Sequence, residues 1–66
     1  DAGGALRAYQ KAVALDPKSA HYQYVMGMFY MKRTDHPELG RQHLKKSLRL
    51  NPDQSSAKTI EQTLNP

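Results

Sequence analysis

The chain has 66 residues, of which 24% are charged, and its formal net charge is +4 at pH 7. A core of this size supplies only about 3–5 kcal/mol of stability on its own, and the lack of cysteine excludes disulfides and thiolate zinc sites. No apolar run approaches the roughly 20 residues that a membrane-spanning helix needs.

The first predicted helix covers about residues 2–15. Small and apolar residues recur along it at spacings of three and four, which is typical of one stripe of an amphipathic helix. This stripe consists of Ala5, Ala8, Tyr9, Ala12, Val13 and Asp16. Pro17 ends the helix, because the residue before a proline is displaced from the helical region.

The second predicted helix, about residues 19–33, carries apolar or aromatic residues on nearly all sides. At 100° per residue they form two stripes. One stripe contains Tyr22, Met26, Phe29 and Tyr30, and the other contains His21, Tyr24, Val25, Met28 and Met31. A helix that is apolar on two sides either is buried from both or offers one side to a partner.

The third predicted helix begins in the turn at residues 34–38 and ends near residue 50. Asp35 followed by Glu38 resembles a capping box, and Pro37 is tolerated in a first turn. The packing stripe consists of Gly40, Leu44, Ser47 and Leu48. A fourth, mostly polar helix is predicted over residues 53–64, with a thin stripe of Ala57, Ile60 and Leu64.

The first and third helices repeat one pattern at a spacing of 35 residues. Small, large and small residues stand four and then three positions apart, and a proline follows five positions later. The pairs are Ala5 with Gly40, Tyr9 with Leu44, Ala12 with Ser47, and Pro17 with Pro52. A period of this length indicates a solenoid, in which each unit needs neighbours to bury its apolar face.

This pattern resembles the tetratricopeptide repeat (TPR) family. Ala5-x3-Tyr9-x2-Ala12-x4-Pro17 is similar to the second half of one repeat. Met26-Gly27-x2-Tyr30 followed by Gly40-x3-Leu44-x2-Ser47-x4-Pro52 is similar to the complete next repeat. Gly27 is expected to let the following helix approach closely.

The resemblance implies an all-α fold of antiparallel helix-turn-helix repeats that form part of a right-handed α-solenoid. Residues 1–17 are then the second helix of an incomplete repeat, residues 18–52 one complete helical hairpin, and residues 53–66 a C-terminal capping helix. Because the first helix lacks the partner that should precede it, we expect the chain to be part of a longer array.

The chain departs from the family pattern at several positions. Gln23 stands where the family usually has tryptophan, and Met26 replaces leucine. Gly40 and Ser47 replace the common alanines, and helix propensity alone makes Gly40 up to about 1 kcal/mol less favourable than alanine. We expect these departures to weaken packing without changing the geometry.

A partner-binding face follows from the resemblance, because TPR proteins use the concave wall formed by the first helix of each repeat. The corresponding residues here are His21, Tyr24, Met28, Met31 and Lys32. They nearly coincide with the second apolar stripe of this helix. Tyrosine and methionine suit an apolar or helical protein segment, whereas the family's carboxylate clamp uses Lys, Arg and Asn, and only Lys32 fits it.

Three alternatives stay open. In the first, the Tyr/Met stripe is buried against other repeats of the same array or against a second copy. In the second, the whole chain is a structural stretch of a larger protein. A third reading is a polyanion or nucleic-acid contact through exposed cations on the first and third helices, at Arg7, Lys11, Arg41, Lys45, Lys46 and Arg49. No aromatic residue interleaves with these cations, which disfavours nucleic acid.

Catalysis, metal binding and a cofactor are not expected. No nucleophile is paired with a base, and no glycine-rich phosphate loop is present. His36 and His43 stand two helical turns apart, roughly 10 Å, which is too far for one ion. The sequence therefore predicts a protein-interaction module with neither a small-molecule substrate nor an enzymatic activity.

Overall fold

The computed structural model describes residues 2–65 and places them in four α-helices with no strand. These are α1 (Ala2–Leu15), α2 (Ala20–Arg33), α3 (Pro37–Leu50) and α4 (Ala57–Leu64). The predicted all-α class is confirmed, and the first three helices lie within one residue of their predicted ends. Asp1 and Pro66, which bound the first and last predicted segments, lie outside the described residues. Within the described part, no helix has the length and hydropathy to cross a membrane.

The α2–α3 hairpin is held by a very close approach of two helix backbones at Gly27 and Gly40. A Cβ atom added to Gly40 would lie 2.6 Å from the Gly27 carbonyl oxygen and against the side chain of Met31. A Cβ atom on Gly27 would lie 2.7 Å from Leu44 Cδ2 and 2.9 Å from the Gly40 carbonyl oxygen. The expectation that Gly27 lets the following helix approach closely is confirmed. Helix propensity alone predicts that Gly40 destabilises α3, but the close packing against α2 requires a glycine at this position.

Ser47 forms the second point of contact between these helices, near their other end. It is fully buried, and its hydroxyl donates to the Ala20 carbonyl oxygen over 2.7 Å. The Gln54 amide nitrogen donates to Ser47 Oγ at 3.0 Å and to the Ser47 carbonyl oxygen at 3.0 Å. Ser47 therefore supplies hydrogen bonds that the alanine of the family pattern lacks.

The start of α3 differs from the predicted capping box. His36 occupies the N-cap position and makes no side-chain capping bond, and Pro37 follows as the first helical residue. The turn is held by Thr34, whose hydroxyl donates to the Tyr30 carbonyl oxygen at 2.8 Å and accepts from the His36 amide at 3.1 Å. The Asp35–Glu38 interpretation is wrong because the helix begins one residue later than that motif requires.

Helix α4 begins at Ala57, four residues later than predicted. The preceding residues form turns, because the Gln54 side chain reaches back and donates to the Asn51 carbonyl oxygen at 2.9 Å. The Asp53 amide also donates to Asn51 Oδ1 at 3.1 Å. These bonds satisfy backbone groups at the end of α3, and the regular helix begins at Ala57.

The apolar core lies mainly on α2 and α3, and its buried members are Met26, Phe29, Leu44 and Ile60. Helix α1 joins through Tyr9, whose ring packs edge-on against Phe29 with centroids 5.9 Å apart. The rest of the α1 stripe is half-buried, except that Ala8 and Asp16 are exposed. Helix α1 is therefore packed less tightly against α2 than α2 and α3 are against each other.

Replacing Gly40 by alanine distinguishes packing from helix propensity by the sign of its effect. Propensity alone predicts a gain of about 1 kcal/mol. The clash with the Gly27 backbone predicts a loss of about 1–3 kcal/mol, because backbone atoms cannot move aside cheaply. Urea denaturation of Gly40→Ala measures the difference, and a more stable variant would contradict the tight hairpin.

Ser47→Ala should lower the free energy of unfolding by about 1–3 kcal/mol, because the Ala20 carbonyl and the Gln54 amide lose a buried partner. The matched control is Ser55→Ala at an exposed turn position, where a change within about 0.5 kcal/mol is expected. Thermal denaturation followed by circular dichroism gives both values. Equal effects of the two substitutions would show that the Ser47 hydroxyl adds nothing.

Candidate functional site

An open groove of about 300 Å³ runs between α1 and α2. Its lining is mostly aromatic and aliphatic, with two cations among its residues. The lining residues are Tyr9, Tyr24, Val25, Met28, Phe29, Lys32 and Arg33. Apart from buried Phe29 and the exposed cations, these residues are half-buried, so the groove is a preformed apolar surface open to solvent.

The structure brings together three of the five residues predicted for the partner-binding face. Tyr24, Met28 and Lys32 are spaced four apart on α2 and all line the groove. His21 is exposed and its ring lies beside Tyr22, 6.0 Å between centroids, outside the groove lining. Met31 lies on the side of α2 that faces α3, and its side chain occupies the space next to the Gly40 Cα atom. Three of the predicted residues therefore line the groove, Met31 lies at the α2–α3 contact, and His21 lies outside both.

Four lining residues were not assigned to this site from the sequence. Val25 belongs to the same stripe as Tyr24, and Arg33 directly follows Lys32, so the helical pattern contains a signal for both. Tyr9 and Phe29 were assigned to packing alone. Both residues also line the groove, Tyr9 from α1 and Phe29 from α2.

The charge of the groove is positive. Lys32 and Arg33 are both exposed in the last turn of α2, where the helix dipole favours cations. No carboxylate is among the described residues that line the groove. An apolar segment that carries an acidic side chain near this end would therefore meet complementary charge.

A second cleft of about 430 Å³ lies on α3 and is lined by Gln42, Lys45, Leu48 and Arg49. It shares no residue with the α1–α2 groove. All four predicted α3 cations are exposed. Lys46 lies close enough to His43 for its charge to affect the ring, while Lys45 and Arg49 line the cleft.

A polar bridge that the sequence analysis missed joins the α1–α2 loop to α3. Gln23 is only 1% exposed, and its amide nitrogen donates to the Pro17 carbonyl oxygen at 3.1 Å. Its Oε1 therefore accepts from His43 Nδ1, 2.7 Å away, which places a proton on that ring nitrogen. The imidazole also stacks on Tyr30 with centroids 5.6 Å apart and planes 5° from parallel.

Residues 2–65 contain no group of three or more His, Cys, Asp or Glu side chains placed to hold a metal ion. The His43 ring is committed to Gln23 and Tyr30, which gives it a packing role.

Stability should depend on pH through His43. Partial burial, and secondly the charge of Lys46, lower the pKa of His43 below 6.5. The unfolded chain then binds more protons than the folded chain between these two pKa values. The contribution of His43 to the free energy of unfolding is therefore fully present above about pH 6.5. It is lost as the pH falls from there through the folded-state pKa.

Urea denaturation at about pH 7.5 and about pH 5.5, above the usual range of carboxyl pKa values, measures this loss. His43→Gln keeps an N–H donor for Gln23 but does not titrate, so its stability should change less with pH. An equal pH dependence in both proteins would show that His43 is not the responsible group.

Comparisons with family models, with curated proteins and with solved structures find no match to this chain. The two main features of the described residues are the tightly packed α2–α3 hairpin and the open, cation-edged groove between α1 and α2.

Proposed function

We propose that this chain is a protein–protein interaction module of the TPR type, a scaffold or adaptor segment that holds a partner polypeptide in the α1–α2 groove. The observation that carries the proposal is the groove itself, an open surface of about 300 Å³ built from tyrosine, valine and methionine with cations at one end. Aromatic residues, methionine and arginine are enriched at protein–protein interfaces.

The contacts between helices support a TPR-type origin of the hairpin. Gly27 and Gly40, the small residues of the motif, stand at the closest approach of α2 and α3. Leu44 and Met26, two of its large residues, are buried, and Leu44 lies against Gly27. Tyr9 packs at the contact between α1 and α2.

The shape of the groove favours an elongated apolar occupant. Tyr24 and Met28 lie one turn apart on its wall, and each combines a large contact area with an adaptable or polar end. A helical segment that presents apolar residues at i, i+3 and i+4 can cover both. We propose that its acidic flank pairs with Lys32 and Arg33.

A second copy of this chain fits the groove less well than an acidic partner. Ten lysines and arginines stand against six acidic residues, and the net charge is +4. Two such chains repel one another at long range. Further repeats of a longer protein are the other occupant to test, and they differ from a partner in their effect on stability.

The double variant Tyr24→Ala with Met28→Ala should weaken binding of a short amphipathic helical peptide that carries leucines on one face and glutamates at one end. About a tenfold weaker affinity is expected, because two anchor side chains are lost. Fluorescence anisotropy with a labelled peptide measures it. The matched control is Tyr22→Ala with Leu39→Ala, which removes an exposed aromatic and an exposed aliphatic side chain outside the groove.

Melting temperatures of both double variants complete the experiment. We expect both to keep their helicity and to lose similar, modest stability. A collapse of the Tyr24/Met28 variant alone would assign these residues to the core. If both double variants lower the affinity for the peptide equally, the peptide binds elsewhere and the proposal is contradicted.

A further inference from the structure

Helix α3 presents a second, chemically distinct surface on the side facing away from α2. Gly40, Leu44 and Ser47 are buried on its inner side. On its outer side a cleft of about 430 Å³ is lined by Gln42, Lys45, Leu48 and Arg49. Among the described residues that line it, the aliphatic one is Leu48, which is half-buried between exposed cations. An apolar contact is therefore flanked by positive charge.

We propose that this α3 cleft is a second docking site, for an acidic segment of another protein. The segment places one aliphatic side chain on Leu48 and carboxylates on Lys45 and Arg49. This site is independent of the α1–α2 groove, with which it has no residue in common. It therefore does not depend on the function proposed above.

The spacing of the cations supports a helical acidic segment. Lys45 and Arg49 are four residues apart, so their side chains stand on consecutive turns, about 5–6 Å between Cβ atoms. Arg41, one turn earlier, is also exposed and extends the row. Carboxylates spaced four apart on a second helix match this separation, and an arginine can bind one of them through two hydrogen bonds.

The composition of the cleft favours a protein over other polyanions. A single-stranded nucleic acid needs aromatic side chains on which bases stack, and none lines the cleft. A membrane surface favours protruding apolar residues, whereas Leu48 is half-buried. The Gln42 amide adds one donor and one acceptor, which a peptide backbone or a polar side chain can use.

The direct test is the affinity of a labelled helical peptide with glutamates at i and i+4 and a leucine between them. Lys45→Glu with Arg49→Glu should weaken it about tenfold or more, because attraction becomes repulsion. The matched control is Arg7→Glu with Lys11→Glu, which makes the same charge change four residues apart on exposed positions of α1. Circular dichroism confirms that both variants are folded.

Leu48 separates specific docking from simple charge attraction. Leu48→Asn should lower the affinity for the peptide roughly tenfold and leave the affinity for heparin unchanged. Leu48→Met keeps the apolar contact and should therefore retain most of the affinity for the peptide. Weakening by the Arg7/Lys11 control equal to that of the Lys45/Arg49 variant would overturn the proposal. An affinity for the peptide that neither Leu48 substitution changes would also overturn the proposal. So would a higher affinity for single-stranded nucleic acid or for anionic vesicles than for the peptide.

Discussion

The backbone approach of α2 and α3 at Gly27 and Gly40 is the constraint on which the other contacts depend. It sets the distance and the register of the hairpin. In this antiparallel register Ser47 reaches the Ala20 carbonyl, and Gln23 reaches His43. Any side chain larger than hydrogen at either glycine would separate the helices and lengthen these hydrogen bonds together.

Much of the fold could be predicted from local patterns, because prolines and helical periodicity act over a few residues. The ends of the first three helices and the role of Gly27 were predicted in this way. Gly40 and Ser47 were undervalued, since their contribution comes from another helix, and Gln23 and His43 are joined across 20 residues by the register. The late start of α4 depends on the Gln54 side chain, which no helix signal encodes.

The candidate site shows the same division. Tyr24, Met28 and Lys32 share one side of α2 at regular spacing, so periodicity placed them together. Met31 lies on the edge of that stripe, and the proximity of α3 at Gly40 draws it into the hairpin. Grooves depend on where neighbouring helices stop covering a surface, and that information is tertiary.

The uneven packing of the four helices has a consequence for how the molecule opens. Most buried side chains and inter-helix hydrogen bonds belong to α2 and α3. In contrast, the described residues of α1 are either half-buried or exposed, and α4 has only eight helical residues. Free energies of local opening follow such differences. Amide protons near Gly27 and Gly40 should therefore exchange last, and those of α1 and α4 should exchange through partial unfolding. The wall of the groove that α1 supplies is thus its adjustable side, while the α2 wall stays rigid.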